Sequence, residues 1–128
     1  MSHLVLVIDD SPTVCKVIEV CLGRAGYEVH SCPDGLLALK FLQSVARSPD
    51  LVLVDLCLPK MDGYSLIRYL RVQPNFRQTP FVIISRRDGF IDKLKGRLVG
   101  ASAYLVKPLK TDHLLSVVQT YLGVAVPG

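Results

Sequence analysis

Hydrophobic residues along this chain fall into two alternating kinds of run. One is short, unbroken and aliphatic: residues 4–8, 51–54 and 81–84. Such runs, bounded by turn residues, are the mark of strands covered on both faces, as in parallel sheets. The other kind recurs with the helical period, through Val14, Val17, Ile18, Cys21, Leu22 and Ala25, then Ala38, Phe41, Leu42 and Val45, and finally Leu114, Val117, Val118, Tyr121 and Leu122. Ser11 and Pro12 suit the cap and first turn of the first helix, and Gly23 and Gly26 suit its end. Two weaker strands are expected at 27–31 and 103–106. Pro33-Asp34-Gly35 reads as the turn into the second helix, and Gly63 starts a third that runs to about Arg71. Residues 74–80 read as a polar loop with two prolines. A fourth helix is expected within 86–99, with an apolar face through Ile91, Leu94 and Leu98 and a stop at Gly100. Thr111 is expected to cap the fifth helix. Residues 1–122 thus form one domain and 123–128 a short tail. Strand and helix in regular alternation imply right-handed crossovers and a doubly wound parallel α/β sheet of five strands with helices on both faces.

Composition fits that architecture. The chain has 128 residues, one domain's worth, and half of them are hydrophobic. Mean hydropathy is +0.38, high for a chain with no membrane span but expected where strands are buried on both sides. No apolar run approaches the roughly 18 residues a span requires, so no membrane insertion is expected. Met1-Ser2-His3 enters a strand at once, so no signal peptide is expected. The four cysteines, Cys15, Cys21, Cys32 and Cys57, form no CxxC pair and lie in apolar segments, which fits reduced thiols in the cytoplasm.

The candidate chemistry sits where strands end. Asp9 and Asp10 close the first strand, Asp55 the third, Ser85 the fourth, and Lys107 the fifth. In an open α/β sheet these ends share one edge, and with strand order 2-1-3-4-5 the first and third strands flank the crevice where ligands bind. The three aspartates then converge, and three close carboxylates cannot all ionise cheaply. Lys107 offsets one charge and a divalent cation the other two. Oxygen ligands favour a hard cation, and Mg²⁺ suits one or two carboxylates with waters and a phosphate oxygen. A carboxylate set between a cation, a lysine and a hydroxyl is prepared to accept a phosphoryl group.

Each residue also has an ordinary reading. Asp10 could cap the first helix, Asp55 could be a turn residue, Lys107 a surface lysine, Ser85 a strand-ending serine and Tyr104 a half-buried core aromatic. Their joint placement at one edge is what favours the chemical reading.

The matching segments, VIDDSP, LVDLCLPKMDG, VIIS and YLVKP, resemble the receiver domains of two-component response regulators, the CheY-like family. The resemblance covers the chain to about Leu122 and supplies the flavodoxin-like strand order 2-1-3-4-5. It implies that Asp55 is the phospho-acceptor from a sensor histidine kinase. It further implies that Asp10, Asp55 and the main-chain carbonyl of Cys57 ligate Mg²⁺, that Asp9 helps through water, and that Lys107 and Ser85 contact the phosphoryl oxygens. Tyr104 would be the switch aromatic, coupled to Ser85, and the fourth helix, fifth strand and fifth helix the face that meets an output protein. Such a domain is no enzyme beyond its own phosphotransfer and dephosphorylation, and as a single domain it would signal by binding a partner. The segment RDGFIDKLKGRLVG is also similar to a narrower branch, the PilG-like regulators associated with type IV pilus twitching motility.

Two residues depart from the family pattern. Arg86 stands where a small residue is usual, and its guanidinium is suited to shielding or binding a phosphoryl group, so slow phosphoryl loss is expected. Cys57 stands two positions after the acceptor, where its thiol is open to oxidation.

The net charge of +4 is unusual beside an acidic cluster. Arg86, Arg87, Lys93, Lys95 and Arg97 outnumber Asp88 and Asp92 around the fourth helix, which suits either a solvated face or an acidic protein partner. No nucleic acid partner is expected, because no recognition motif or stacking aromatics accompany the charge. The alternative function is a receiver-like scaffold that is never phosphorylated. A phosphatase attacking through a first-strand aspartate wants carboxylates two apart, and position 11 is Ser11. A flavin phosphate would be repelled by the acidic loop.

Overall fold

The computed structural model describes residues 2–124, and residues 125–128 of the expected tail lie outside that range. Five strands, β1 (Leu4–Ile8), β2 (Glu28–Cys32), β3 (Leu51–Asp55), β4 (Phe81–Ser85) and β5 (Ala103–Val106), form one sheet in the order β2-β1-β3-β4-β5. All four pairings are parallel. The helices are α1 (Pro12–Arg24), α2 (Gly35–Ser44), α3 (Gly63–Arg71), α4 (Phe90–Leu98) and α5 (Thr111–Leu122).

The aliphatic runs are unbroken because β1, β3 and β4 are buried at every position. Alternate residues serve opposite faces. Val5, Val7, Leu51, Leu53, Val82 and Ile84 pack with Cys15, Ile18 and Leu22 of α1 and Leu114 and Val118 of α5. Leu6, Ile8, Val52, Val54, Phe81 and Ile83 pack with Ala38 of α2 and Leu66, Ile67 and Leu70 of α3. Side-chain caps fix where three helices begin: Ser11, Asp34 and Asp62 accept the amide protons of Val14, Leu37 and Ser65.

Three expectations need correction. Residues 86–89 are not helical, and in α4 Ile91 and Leu98 are 59% and 76% exposed. The apolar stripe of α4 points outward, and Gly96 is the buried position. The cause is close approach, since a Cβ on Gly96 would lie 2.8 Å from Ile83 Cδ1 and 3.5 Å from Tyr104 Cδ2. Second, Thr111 is the first residue of α5 rather than its cap; Lys110 occupies the cap position without a side-chain hydrogen bond. Third, the loop at 74–80 contains a 3₁₀ turn, Pro74–Phe76, that buries Phe76.

Arg71 ends α3 and ties that loop to α4. Its Nη1 donates to the carbonyls of Phe76, Arg77 and Thr79 at 3.2, 3.2 and 2.9 Å, and Nη2 donates to Gly100 O at 2.6 Å. Its guanidinium also lies 4.5 Å from the centroid of the Phe81 ring. At the other end of α4, the Tyr64 hydroxyl donates to Asp92 O at 2.9 Å.

Candidate functional site

Four strands, β1, β3, β4 and β5, deliver polar side chains to the carboxyl edge of the sheet. Asp9 follows β1, where its amide still pairs with Cys32 O. Asp55 is the last residue of β3. The loop after it is turned back by Gly63, whose amide donates to Leu56 O at 3.0 Å. A Cβ on Gly63 would sit 2.5 Å from Asp55 O, so only glycine permits this closure. Ser85 ends β4, and its carbonyl accepts the Lys107 amide at 2.7 Å, which places Lys107 beside it.

The result is one compact cluster. Carboxylate oxygens of Asp9, Asp10 and Asp55 all lie within 4.8 Å of one another. Lys107 Nζ stands 2.7 Å from Asp9 Oδ2 and 3.3 Å from Asp55 Oδ2. Asp9 Oδ1 accepts the Ser11 amide at 2.8 Å, and Asp55 Oδ1 the Cys57 amide at 3.2 Å. Asp9, Asp55 and Ser85 are buried, whereas Asp10 and Cys57 are exposed. A cavity of about 250 Å³ opens over Asp10, Asp55, Cys57, Ser85, Arg86 and Lys107.

Electrostatics reflect an excess of acid. Burial works against the charged form of Lys107, but Asp9 and Asp55 together outweigh it and hold its pKa above the ordinary lysine value. For Asp9 burial wins: it raises the carboxyl above the usual range, with help from Asp55, despite Lys107 and the Ser11 amide. Asp9 Oδ2 is fully buried and receives no hydrogen bond of acceptable geometry, its neighbour being the Lys107 charge. Three carboxylates that each bring an oxygen within 4.8 Å of the others, faced by a single ammonium, fit a hard divalent cation.

Beside this pocket runs a larger groove of about 470 Å³, with Thr13, Val14 and Val17 of α1 on one wall and Pro108 and Leu109 on the other. Arg86 and Lys107 line both cavities.

Tyr104 does not line the acid pocket. Its hydroxyl donates to Arg87 O at 2.6 Å, and Arg87 N donates to Ser85 Oγ at 3.1 Å, so Arg87 links tyrosine and serine in addition to the interaction between their side chains. Sequence reasoning missed the part played by Arg87, which is carried by its main-chain atoms and leaves no side-chain signal. It also read Ser11 only as a cap, although its amide holds Asp9.

Comparison with known proteins agrees with this geometry. Residues 5–119 match the response regulator receiver domain family, and the chain belongs to it. It is 35% identical to protein PilG of Pseudomonas aeruginosa over 118 residues, which cover 92% of this chain and 86% of PilG. Further relatives are larger, and the chain spans between 15% and 48% of their length. Among solved structures, the chemotaxis response regulator CheY4 of Vibrio cholerae is 31% identical, with a TM-score of 0.88 and coverage of 95% of this chain and 100% of that one. The receiver domain of a Pseudomonas aeruginosa sensor histidine kinase, solved with a magnesium ion coordinated in its active-site cleft, is 31% identical with a TM-score of 0.84. Coverage there is 96% of this chain and 99% of that one.

Proposed function

We propose that Asp55 accepts a phosphoryl group from a histidine kinase in a Mg²⁺-dependent reaction, and that the modified domain signals through a protein partner. The observation that carries this reading is the position of Lys107 Nζ, 2.7 Å from Asp9 and 3.3 Å from Asp55, inside a set of three mutually close carboxylates. Asp10, Asp55 and the Cys57 carbonyl would hold the metal, with Asp9 behind them. Bound there, Mg²⁺ supplies positive charge that lets a carboxylate and a phosphoryl group approach each other. An Asp55 oxygen attacks phosphorus, the bond to the donor imidazole breaks, and its electron pair returns to the ring nitrogen. Lys107 pairs with a phosphoryl oxygen, and the Ser85 hydroxyl, whose oxygen already accepts from Arg87, donates its own proton to another.

The groove between α1 and Pro108-Leu109 leads directly to Lys107 and offers apolar contact for the donor protein. On the output side, Lys93 and Arg97 line the hollow between α4 and β5, and Lys110 and His113 line its continuation toward α5. These cations, beside the exposed stripe of Phe90, Ile91, Leu94 and Leu98, suit an acidic amphipathic segment. Identity with PilG supports a place in the twitching-motility branch, and four free thiols support a reducing cytoplasmic setting.

The test is labelling with a small phosphodonor, read by intact mass and peptide mapping. A single phosphoryl group on Asp55, dependent on Mg²⁺ and absent from Asp55→Ala, is the expected result. No labelling of the wild type would leave the chain an unphosphorylated scaffold.

A further inference from the structure

Among the three cationic side chains lining the acid pocket, two are occupied. Lys107 bridges Asp9 and Asp55, and Arg87 Nη1 lies 3.7 Å from Asp92 Oδ1. Arg86 makes no ion pair or side-chain hydrogen bond among the described residues. It stands exposed on the wall shared by the pocket and the α1 groove.

Its backbone is nonetheless fixed from both sides. On one side Ser85 O accepts the Lys107 amide at 2.7 Å. On the other, Arg87 donates its amide to Ser85 Oγ at 3.1 Å and accepts the Tyr104 hydroxyl at 2.6 Å. The chain therefore presents a free guanidinium at the pocket rim from a rigid base, an arrangement that lowers the ordering cost of binding an anion.

Charge balance says which anion. With a divalent cation present, three carboxylates are matched by that cation and Lys107. Phosphorylation of Asp55 replaces one negative charge by about two. The pocket is then short of one positive charge, and Arg86 is the unpaired cation beside it. We infer that Arg86 is a phosphoryl-binding residue, whose guanidinium closes over the modified Asp55 and pairs with the phosphoryl oxygens in the bidentate manner open to arginine but not to lysine. By occupying the rim it also hinders the water that would hydrolyse the acyl phosphate. This inference rests on the phospho-acceptor reading of Asp55 given above.

The experiment compares wild type, Arg86→Ala and Arg86→Gln, the last keeping much of the bulk without the charge. Aspartyl-phosphate lifetime is followed after removal of a small phosphodonor, Mg²⁺-dependent beryllofluoride affinity by calorimetry, and Mg²⁺ affinity on unmodified protein. Both variants should lose phosphate roughly three- to tenfold faster and bind beryllofluoride more weakly by a similar factor, the size expected of one charge-assisted contact at a half-open rim. Their Mg²⁺ affinity should stay the same or tighten, because a cation has been removed from beside an acidic pocket. Opposite signs for metal and phosphoryl analogue distinguish a lost contact from a damaged pocket. An unchanged lifetime in both variants overturns the inference, as does a wild-type lifetime in Arg86→Gln alone or a parallel loss of Mg²⁺ affinity. If the wild type itself takes no label, the phospho-acceptor reading fails first; a labelled wild type with an Arg86-independent lifetime removes only this inference.

Discussion

Without a metal ion the acid pocket holds more negative charge than Lys107 can balance, and that should register as lost stability. The perturbation is Asp10→Asn, which removes one charge from the cluster and nearly keeps its shape. Asp10 is exposed and makes no ion pair among the described residues, so the change breaks no contact of that kind. Two unit charges 4.8 Å apart, the span of this cluster, repel by about 1 kcal/mol in a water-like dielectric and about 3.5 kcal/mol at an effective value of 20. Asp10 faces two such carboxylates, so at the lower figure, which its exposure favours, the repulsion totals about 2 kcal/mol, and the lost attraction to Lys107 trims that by about half. Asp10→Asn should therefore be more stable than wild type by about 1 kcal/mol in EDTA, or about 3–5 °C in melting temperature for a domain of this size. Mg²⁺ at ten times its dissociation constant should add about 1.4 kcal/mol to the wild type and little to the variant. Circular dichroism melts with and without Mg²⁺ supply all four values. A variant less stable than wild type in EDTA, or one that gains as much from Mg²⁺, would refute the reasoning.

Two further outcomes follow from the same structure. Because the folded pKa of Asp9 is raised, the folded state holds that proton more tightly than the unfolded chain, so this group costs stability at neutral pH. Metal-free protein should recover it as pH falls through the folded value of Asp9, and urea midpoints should show that rise in wild type but not in Asp9→Asn. Arg71→Ala removes four hydrogen bonds from a guanidinium and leaves carbonyls of Phe76, Thr79 and Gly100 short of donors. A loss of about 2–4 kcal/mol is expected in urea unfolding, and a variant within 0.5 kcal/mol of wild type, about the spread of neutral surface changes, would show the tie to be idle.

How much of this was readable in advance depended on whether side-chain pattern or main-chain geometry set the feature. β1, β3 and β4 were legible because burial on both faces leaves an unbroken aliphatic run with no competing explanation. Asp9, Asp10, Asp55, Ser85 and Lys107 were legible as a group because strand ends in a parallel sheet share an edge, whatever the loops between them do. The fourth helix was not. Periodicity identifies an apolar stripe but not the side that meets the sheet, and here Gly96 is the small residue that lets the helix approach, leaving Ile91, Leu94 and Leu98 outside. Arg71 was marked only as the approximate end of its helix, because its partners are carbonyls that any sequence would provide. Tyr104 was singled out by resemblance, but its route to Ser85 through Arg87 needed coordinates.

Helix α4 is fastened at its two ends by side chains of a single neighbour, Tyr64 and Arg71 of α3, while Gly96 alone among its nine residues is buried. Sliding or tilting such a helix opens almost no void beneath it. The expense of repositioning lies in a few polar tethers rather than in lost burial, which sets α4 apart from helices such as α1 and α3 that are held by several buried side chains each.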